Sequence, residues 1–333
     1  MKFPTSPLKQ VQPILSFKNK LFRVKVNSFL RRPKEKVVFV MGATGCGKSR
    51  LAIDLATRFQ AEIINSDKIQ LYKGLDVLTN KVTPEECRGV PHHLLGVFDS
   101  EAGNLKATEY SRLAAQAISK ISANHKLPIV AGGSNSYIEA LANHSSRFLL
   151  NNYDCCFIWV DVSLPVLNSF VSKRVDRMME SGLLKEVKEM FNPKADYSVG
   201  IRRAIGVPEL HEYLSYESQV DSDTQKKMLD VAVEKIKENT EILACRQLKK
   251  IQRLNKKWNF SIHRVDATEV FLKCNEKEAD EAWEKLVARP SEIIVEKFYN
   301  NKVKNIDVDE NCLTTVGAAS YGGGSGRRAH NMI

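Results

Sequence analysis

The sequence lacks several features that would place it in common protein classes. Its 333 residues contain no apolar run close to the roughly 20 residues that a membrane-spanning helix needs, so we expect no membrane association. The seven cysteines form no C-x-x-C pair, which argues against a zinc ribbon and a disulfide framework. A C2H2 zinc-finger spacing is also missing. The hydrophobic content of 43% is nevertheless enough for the core of one large or two modest domains.

Acidic residues are missing from the first 34 positions, which hold nine Lys or Arg residues. Because the net charge of the whole chain is +11, most of the positive excess lies in this segment. A basic, acid-free leader without a long apolar stretch is typical of an organelle transit peptide. Charge and hydroxyl content do not separate plastids from mitochondria, and a basic tail on a cytoplasmic enzyme is the alternative.

One segment matches the consensus of a phosphate-binding loop. After a β-branched run, residues 42–49 read GATGCGKS, which fits G-x-x-x-x-G-K-[ST], and a helical pattern follows. Glycines let successive backbone N–H groups point inward, and the start of a helix adds partial positive charge. Lys48 adds a cation, and the Ser49 hydroxyl is a ligand for Mg²⁺. The predicted diphosphate-binding residues are Gly42, Ala43, Thr44, Gly45, Cys46, Gly47, Lys48 and Ser49.

Further motifs narrow the choice of phosphate ligand. Residues 65–76 read NSDKIQLYKGLD, 129–134 read IVAGGS, 174–187 read RVDRMMESGLLKEV and 200–209 read GIRRAIGVPE. With the phosphate loop, they resemble the isopentenyltransferases over roughly residues 36 to 265. That family includes the tRNA dimethylallyltransferases and the adenylate isopentenyltransferases of plant cytokinin synthesis, and the last motif is closest to the plant adenylate type.

The resemblance implies a reaction and its substrates. In this family the phosphate loop grips the diphosphate of dimethylallyl diphosphate, and the prenyl group moves to the N6 atom of an adenine. The expected partners here are dimethylallyl diphosphate and AMP, ADP or ATP, with Mg²⁺ as the cofactor. Plant members are largely plastid proteins, so the resemblance also implies a chloroplast location for this chain.

The catalytic roles follow from the charge that the reaction develops. The departing diphosphate gathers negative charge, which Lys48, Thr44 and Mg²⁺ on Ser49 are expected to stabilise. The resemblance adds Arg174 as a diphosphate clamp. Asp67 ends a predicted strand, at the edge where α/β sheets place ligands, and is the candidate base for the N6 amine. The predicted adenine nucleotide-binding residues are Ser66, Asp67, Lys68, Gly133, Ser134 and Arg246.

The length of the segment after the Gly-Gly-[ST] motif bears on whether the acceptor is a free nucleotide or tRNA. Members that modify tRNA have a helical insertion after the Gly-Gly-[ST] segment, whereas only 22 residues separate Ser134 from Phe157 here. With a near-neutral chain beyond the leader, this favours a free nucleotide and makes nucleic acid an unlikely partner. A basic helical segment at 235–250 is the opposing evidence, because it could follow a phosphate backbone.

Three other readings stay open. The first is a tRNA dimethylallyltransferase that acts on an anticodon-loop adenine. The second is a P-loop small-molecule kinase, with ATP in the loop and Asp67 activating a hydroxyl. The third is a nucleotide-binding regulator without catalysis, which is disfavoured because Thr44, Lys48 and Arg174 are all present. The sequence does not fix the oligomeric state.

Alternating strand and helix patterns predict an α/β fold, with a P-loop NTPase-like core and a mainly parallel sheet flanked by helices. A small helical subdomain is expected to follow the core. The predicted parts are a basic leader (1–34), the P-loop core (35–195), the helical subdomain (196–256), a last strand with C-terminal helices (257–305) and a Gly-rich tail (306–333).

Overall fold

The computed structural model describes residues 34–100, 102–143, 149, 152–258 and 262–300. Six strands form one sheet in the order β3-β2-β4-β1-β5-β6, and every neighbouring pair is parallel. The strands are β1 (Glu35–Gly42), β2 (Ala61–Asn65), β3 (His92–His93), β4 (Leu127–Ala131), β5 (Tyr153–Asp161) and β6 (Ile262–Asp266). The predicted α/β class is confirmed.

Helices cover both faces of this sheet. They are α1 (Lys48–Phe59), α2 (Ala107–Ala123), α3 (Asn135–Asn143), α4 (Leu164–Glu180), α5 (Leu183–Glu189), α6 (His211–Tyr216), α7 (Ser222–Lys257), α8 (Thr268–Phe271), α9 (Glu276–Trp283) and α10 (Arg289–Asn300). A 3₁₀ turn (Gly200–Arg203) precedes α6, and a π-helix (Glu284–Ala288) joins α9 to α10. Among the described helices, none is both long and apolar enough to cross a bilayer.

The core lies on both sides of β1, which explains its unbroken apolar sequence. Residues 37–41 have no exposed surface, as expected for an inner strand of a parallel sheet. Successive side chains point to opposite faces, so Phe39 and Val40 belong to different hydrophobic clusters. Phe39 stacks on Phe157 of β5, with ring centroids 4.5 Å apart. The two clusters fix β1 at the centre and leave its carboxyl end to carry the phosphate loop.

The long helix α7 starts at a defined cap and follows one face of the core. The side chain of Asp221 accepts hydrogen bonds from the N–H groups of Asp223 and Thr224, at 3.0 and 3.1 Å. Its buried residues recur every three or four positions, and Ile236 and Ile251 share a cluster with Phe39. The predicted boundaries of a helical subdomain at 196–256 stay a prediction. The leader up to residue 33 and the tail at 306–333 lie outside the described residues.

Candidate functional site

A cleft of about 1440 Å³ opens at the carboxyl ends of β1, β2 and β4. Parallel α/β sheets place their ligands at this edge, because the loops after neighbouring strands meet there. The cleft is larger than the roughly 300–1,000 Å³ of a usual small-molecule site, which leaves room for two substrates. Its lining includes these sequence-predicted residues: Thr44, Gly45, Gly47, Lys48, Ser49, Asp67, Lys68, Gly133, Ser134 and Arg174.

The phosphate loop turns tightly between β1 and α1, and its glycines are sterically required. A Cβ atom at Gly42 would lie 2.6 Å from the carbonyl oxygen of Val160. Gly47 has a φ of +89° and is the N-cap residue of α1. Because glycine has no side chain, it accepts no hydrogen bond from the first N–H groups of the helix through one. Together these constraints hold backbone donors at the start of a helix, where an anion is stabilised.

Lys48 and Cys46 lie at the bottom of this loop. The Lys48 side chain is buried, and its Nζ donates a hydrogen bond to the carbonyl oxygen of Ala43. Burial raises the pKa of the Cys46 thiol and outweighs the opposing effect of Lys48. Cys46 is therefore a protonated thiol that fits a small space.

Arg174 reaches the loop from α4. Its Nη2 donates a hydrogen bond to Thr44 Oγ1 at 3.1 Å, and its buried Nε has no hydrogen-bond partner among the described residues. Burial lowers the pKa of Arg174 to about 10, with a further contribution from Arg177, so the guanidinium still carries its charge at neutral pH. A buried cation with a free donor, held against the phosphate loop, is suited to bind an anion.

Asp67 follows β2 and is held by local hydrogen bonds. Its Oδ1 accepts from the N–H of Ile69, and its own N–H donates to Asn65 Oδ1, both at 3.0 Å. The Asn65 amide also donates to the carbonyl oxygen of Leu94 at 2.9 Å. Within the described residues, Asp67 Oδ2 accepts no hydrogen bond. One carboxylate oxygen is thus fixed, while the other is available to a ligand in the cleft.

The Gly132-Gly133 pair lets β4 approach Asp67 and helix α7. A Cβ atom at Gly132 would lie 2.2 Å from the carbonyl carbon of Ser66, and one at Gly133 would lie 2.6 Å from Gln247 Nε2. Next in sequence, Ser134 Oγ accepts a hydrogen bond from the N–H of Lys68 at 2.9 Å. The glycines are needed for close approach, and Ser134 joins the ends of β2 and β4.

The predicted nucleotide-binding residues are not all brought to the cleft. Ser66 is fully buried and does not line it, and Arg246 is exposed outside it. Lys68 does line the cleft, with its Nζ 5.2 Å from the ring centroid of Tyr137. Burial, followed by the charges of Arg203 and Lys250, lowers the pKa of Lys68. Of the basic residues predicted for nucleotide binding, Lys68 is therefore the one that faces the cleft.

The turn-rich segment at 70–81 closes one wall of the cleft. Glu186 of α5 accepts hydrogen bonds from the N–H groups of Val77 and Leu78, each at 3.0 Å. Lys81 pairs with Asp76 at 2.6 Å between Nζ and Oδ1. The Glu186 carboxylate thus holds the backbone of this wall in place. The side chains of the segment do not supply those hydrogen bonds, so they can face a ligand.

Magnesium was predicted on Ser49, whose hydroxyl is a suitable ligand for that ion. Ser49 is exposed in the cleft at the first turn of α1. Asp161, which ends β5, pairs instead with Arg264 at 2.7 Å. Across the described residues, no three His, Cys, Asp or Glu side chains cluster as metal ligands. A hydroxyl alone suits Mg²⁺, which takes most of its ligands from water and substrate phosphates.

Sequence reasoning missed Gln247, the residue that joins the two sides of the cleft. Its Oε1 accepts from the N–H of Thr44 at 2.7 Å, and its Nε2 donates to the carbonyl oxygen of Gly133 at 2.9 Å. A signal was present: Gln247 is a polar residue in the buried stripe of α7, between Ala244 and Ile251. A buried amide in an apolar stripe requires hydrogen-bond partners, which here are the loops of the site.

Comparison with known proteins assigns the family of this chain. A family model described as IPP transferase matches residues 70–151 and 142–253. Adenylate isopentenyltransferase 7, mitochondrial, of Arabidopsis thaliana is 83% identical over all of both chains. Adenylate isopentenyltransferase 5, chloroplastic, of the same plant is 59% identical over 90% of each chain.

A solved structure shares the fold at low identity. It is a eukaryotic dimethylallyltransferase acting on tRNA, with a TM-score of 0.69, 24% identity and coverage of 80% of each chain. At this identity the likeness supports the predicted P-loop NTPase-like fold and says nothing of the substrate.

The expected chloroplast location is wrong. The relative that is 83% identical over the whole chain is named mitochondrial, although the relative at 59% is named chloroplastic. The physical reason for the error is that both kinds of transit peptide are basic and poor in acidic residues, so composition alone does not distinguish them.

Proposed function

We propose a reaction for this chain from the fact that it belongs to the adenylate isopentenyltransferase family. The chain is a prenyltransferase that moves the dimethylallyl group from dimethylallyl diphosphate to N6 of an adenine nucleotide in cytokinin synthesis. The roles of the residues are assigned from one observation, which is that the proposed binding groups line the same cleft. The phosphate loop and Asp67 line the same cavity, which is large enough for both substrates.

The phosphate loop is the proposed diphosphate site. The bond between the allylic carbon and the diphosphate oxygen breaks, and negative charge accumulates on the diphosphate. Lys48 is poised to exchange its hydrogen bond with Ala43 for one with this oxygen charge. Arg174, held on Thr44, adds a second cation whose Nε has an unused donor. The backbone N–H groups of the loop and Arg174 are held in place before the reaction, so they stabilise the leaving group with little reorganisation.

Asp67 is the proposed base. As the allylic carbon bonds to N6 of the adenine, the amine loses a proton, and the free Oδ2 of Asp67 accepts it. The hydrogen bond from Ile69 and the support of Asn65 hold the carboxylate in one orientation. Lys68 is the proposed contact for the nucleotide phosphates, because its charge faces the cleft beside Asp67. Ser49 would hold Mg²⁺, which supplies positive charge against the diphosphate.

The test is to assay the full chain with Mg²⁺ and dimethylallyl diphosphate, in parallel with AMP, ADP, ATP or unmodified tRNA, and to identify products by mass spectrometry. We expect prenylated nucleotide and free diphosphate. Lys48→Met should abolish the product, whereas Lys227→Met, on the exposed face of α7, should not.

Two outcomes would contradict the proposal. Prenylated tRNA without any prenylated nucleotide would make the chain a tRNA-modifying enzyme. Release of ADP from ATP, with no need for the isoprenoid donor, would make it a kinase that uses the same loop.

A further inference from the structure

The phosphate loop is supported from behind by a residue of the C-terminal helices. Trp283 ends α9 and is 3% exposed. Its ring occupies the space that a side chain at position 47 would fill, because a Cβ atom on Gly47 would lie 2.6 Å from both Cη2 and Cζ3 of the indole. The indole therefore packs directly against the backbone of Gly47, the residue that precedes Lys48 and Ser49.

Polar contacts fix the orientation of this indole. Its Nε1–H donates a hydrogen bond to Asp54 Oδ2 at 2.8 Å, and Asp54 belongs to α1, the helix that starts at the loop. The guanidinium of Arg50 lies over the ring, 4.6 Å from the centroid, and pairs with Asp280 at 2.8 Å. Arg88 forms a further ion pair with Asp54. The ring is thus held on its edge, on its face and against the loop.

The helix geometry just after Trp283 is unusual. A π-helix at Glu284–Ala288 interrupts the chain between α9 and α10. Such π-helical turns are rare and often occur at functional sites. Here the π-helix changes the helical register immediately after Trp283, while Val287 and Ala288 stay fully buried in the core. Val287 and Ala288 therefore pack in the core while the indole of Trp283 still contacts the loop.

We infer that Trp283 is a positioning residue for diphosphate binding: the indole holds Gly47 in its left-handed conformation, so that the N–H groups at the start of α1 stay directed at the diphosphate. The inference rests on the proposed function, because it assumes that this loop binds the donor diphosphate. It assigns the C-terminal helices a role in binding one substrate, the isoprenoid donor, and none in binding the nucleotide.

The experiment compares the full-length wild type with Trp283→Ala, Trp283→Phe and Trp258→Phe. Trp258 is also buried, but it packs on Phe157 on the other face of the sheet, 5.1 Å between ring centroids, so it controls for the loss of a buried indole. Steady-state assays give KM for dimethylallyl diphosphate and for the nucleotide. Titration with inorganic diphosphate and Mg²⁺, followed by intrinsic tryptophan fluorescence and by calorimetry, gives a binding constant without turnover.

For Trp283→Ala we expect the KM for dimethylallyl diphosphate and the Kd for inorganic diphosphate to rise together by about ten- to a hundredfold, the scale of a misplaced binding group. The KM for the nucleotide should change less than about twofold. Trp283→Phe keeps a ring against Gly47 and should restore most of the affinity. Trp258→Phe should lower the melting temperature but leave both KM values near those of the wild type.

The inference is overturned if Trp283→Ala binds diphosphate as tightly as the wild type, or if both KM values rise together as they would after general loosening of the fold. A wild-type protein that binds no diphosphate and makes no prenylated nucleotide would instead refute the proposed function, and the inference would fall with it. Diphosphate binding and prenylation in the wild type, with no effect of Trp283, refutes the positioning role alone.

Discussion

The two sides of the cleft are built from different parts of the polypeptide. On the donor side, which is the side proposed to bind dimethylallyl diphosphate, residues 42–49 offer mainly backbone N–H groups, and glycines are required because Val160 and Trp283 leave no room for side chains. On the acceptor side, which is the side proposed to bind the nucleotide, residues 65–81 are fixed by side chains that bond to the backbone, including Asn65 and Glu186. A steric framework holds the first, and a polar network holds the second.

This difference predicts how each side fails. The donor side depends on backbone shape, so an added methyl group is sufficient to damage it. The acceptor side depends on the chemistry of single side chains. Replacing one of them by a side chain of the same shape but different chemistry is therefore sufficient to damage it. Two substitutions separate these modes, and a third, in the strand that leads to the acceptor side, tests stability alone.

Asp67→Asn should have the largest effect. The amide can still accept the hydrogen bond from Ile69, which leaves the fold intact, but it cannot take a proton from N6. We expect kcat to fall by about 10²–10⁴, as for loss of a general base, with little change in either KM. Asp76→Asn is the control, since that carboxylate pairs with Lys81 in the same wall. An unchanged kcat for Asp67→Asn would show that Asp67 does not accept the proton from N6.

Gly47→Ala should come next. A Cβ atom there would clash with the indole of Trp283, and the φ of +89° adds backbone strain. We expect weaker binding of dimethylallyl diphosphate by about a hundredfold. Gly182→Ala is the matched control, because its φ is +101° and no atom lies within 4 Å of the added Cβ. Equal losses of activity in the two variants would show that strain alone, and not the contact with Trp283, damages the loop.

Glu62→Gln should have the smallest effect and should change stability without changing chemistry. Glu62 lies in β2, and its carboxylate pairs with Lys126 at 2.8 Å and His93 at 2.6 Å. The hydrogen bond from Lys126, followed by that from His93, lowers the pKa of Glu62, although burial opposes the shift. A lowered pKa means that this stabilisation is present above the ordinary value of 4.5 and is lost as the pH falls below it.

At pH 7 the variant should therefore lose about 1–3 kcal/mol in the free energy of unfolding, the usual cost of a broken hydrogen bond to a charged group. Below pH 4.5 the difference from the wild type should shrink. Thermal or urea unfolding at both pH values is the measurement. A difference that does not depend on pH would indicate that the ionised carboxylate is not the stabilising species.

Local sequence was sufficient to predict the sheet, the phosphate loop and the position of Asp67 at the end of a strand. The β-branched run before the phosphate loop forms β1, and the strand predicted to end at Asp67 corresponds to β2. Helix α7 was also predicted, because its apolar positions repeat every three or four residues. The short strand β3 was missed, since two residues carry no periodic signal. His92 Nδ1 lies 2.8 Å from the carbonyl oxygen of Val90, and His93 Nε2 lies 2.6 Å from Glu62 Oε2 in β2.

Contacts between distant segments could not be read in the same way. Arg246 was predicted to bind the nucleotide and Gln247 was not, but helical geometry turns the amide of Gln247 to the cleft and leaves the arginine outside it. Trp283 lies 236 positions beyond Gly47 and has no motif around it. Both cases depend on how helices are placed on the sheet, which local patterns do not specify.

Local sequence was enough to predict the fold class, the glycine-rich loop after β1 and the family, because these depend on short motifs whose backbone conformation is nearly fixed by glycine, hydroxyl and β-branched residues. Which side chains share the cleft depends on how distant elements pack. Asp67, Gln247 and Arg174 come from separate parts of the chain and line the cleft, while Trp283 packs behind the phosphate loop. They come close together because a parallel sheet brings the ends of its strands, and the helices packed on them, to one edge.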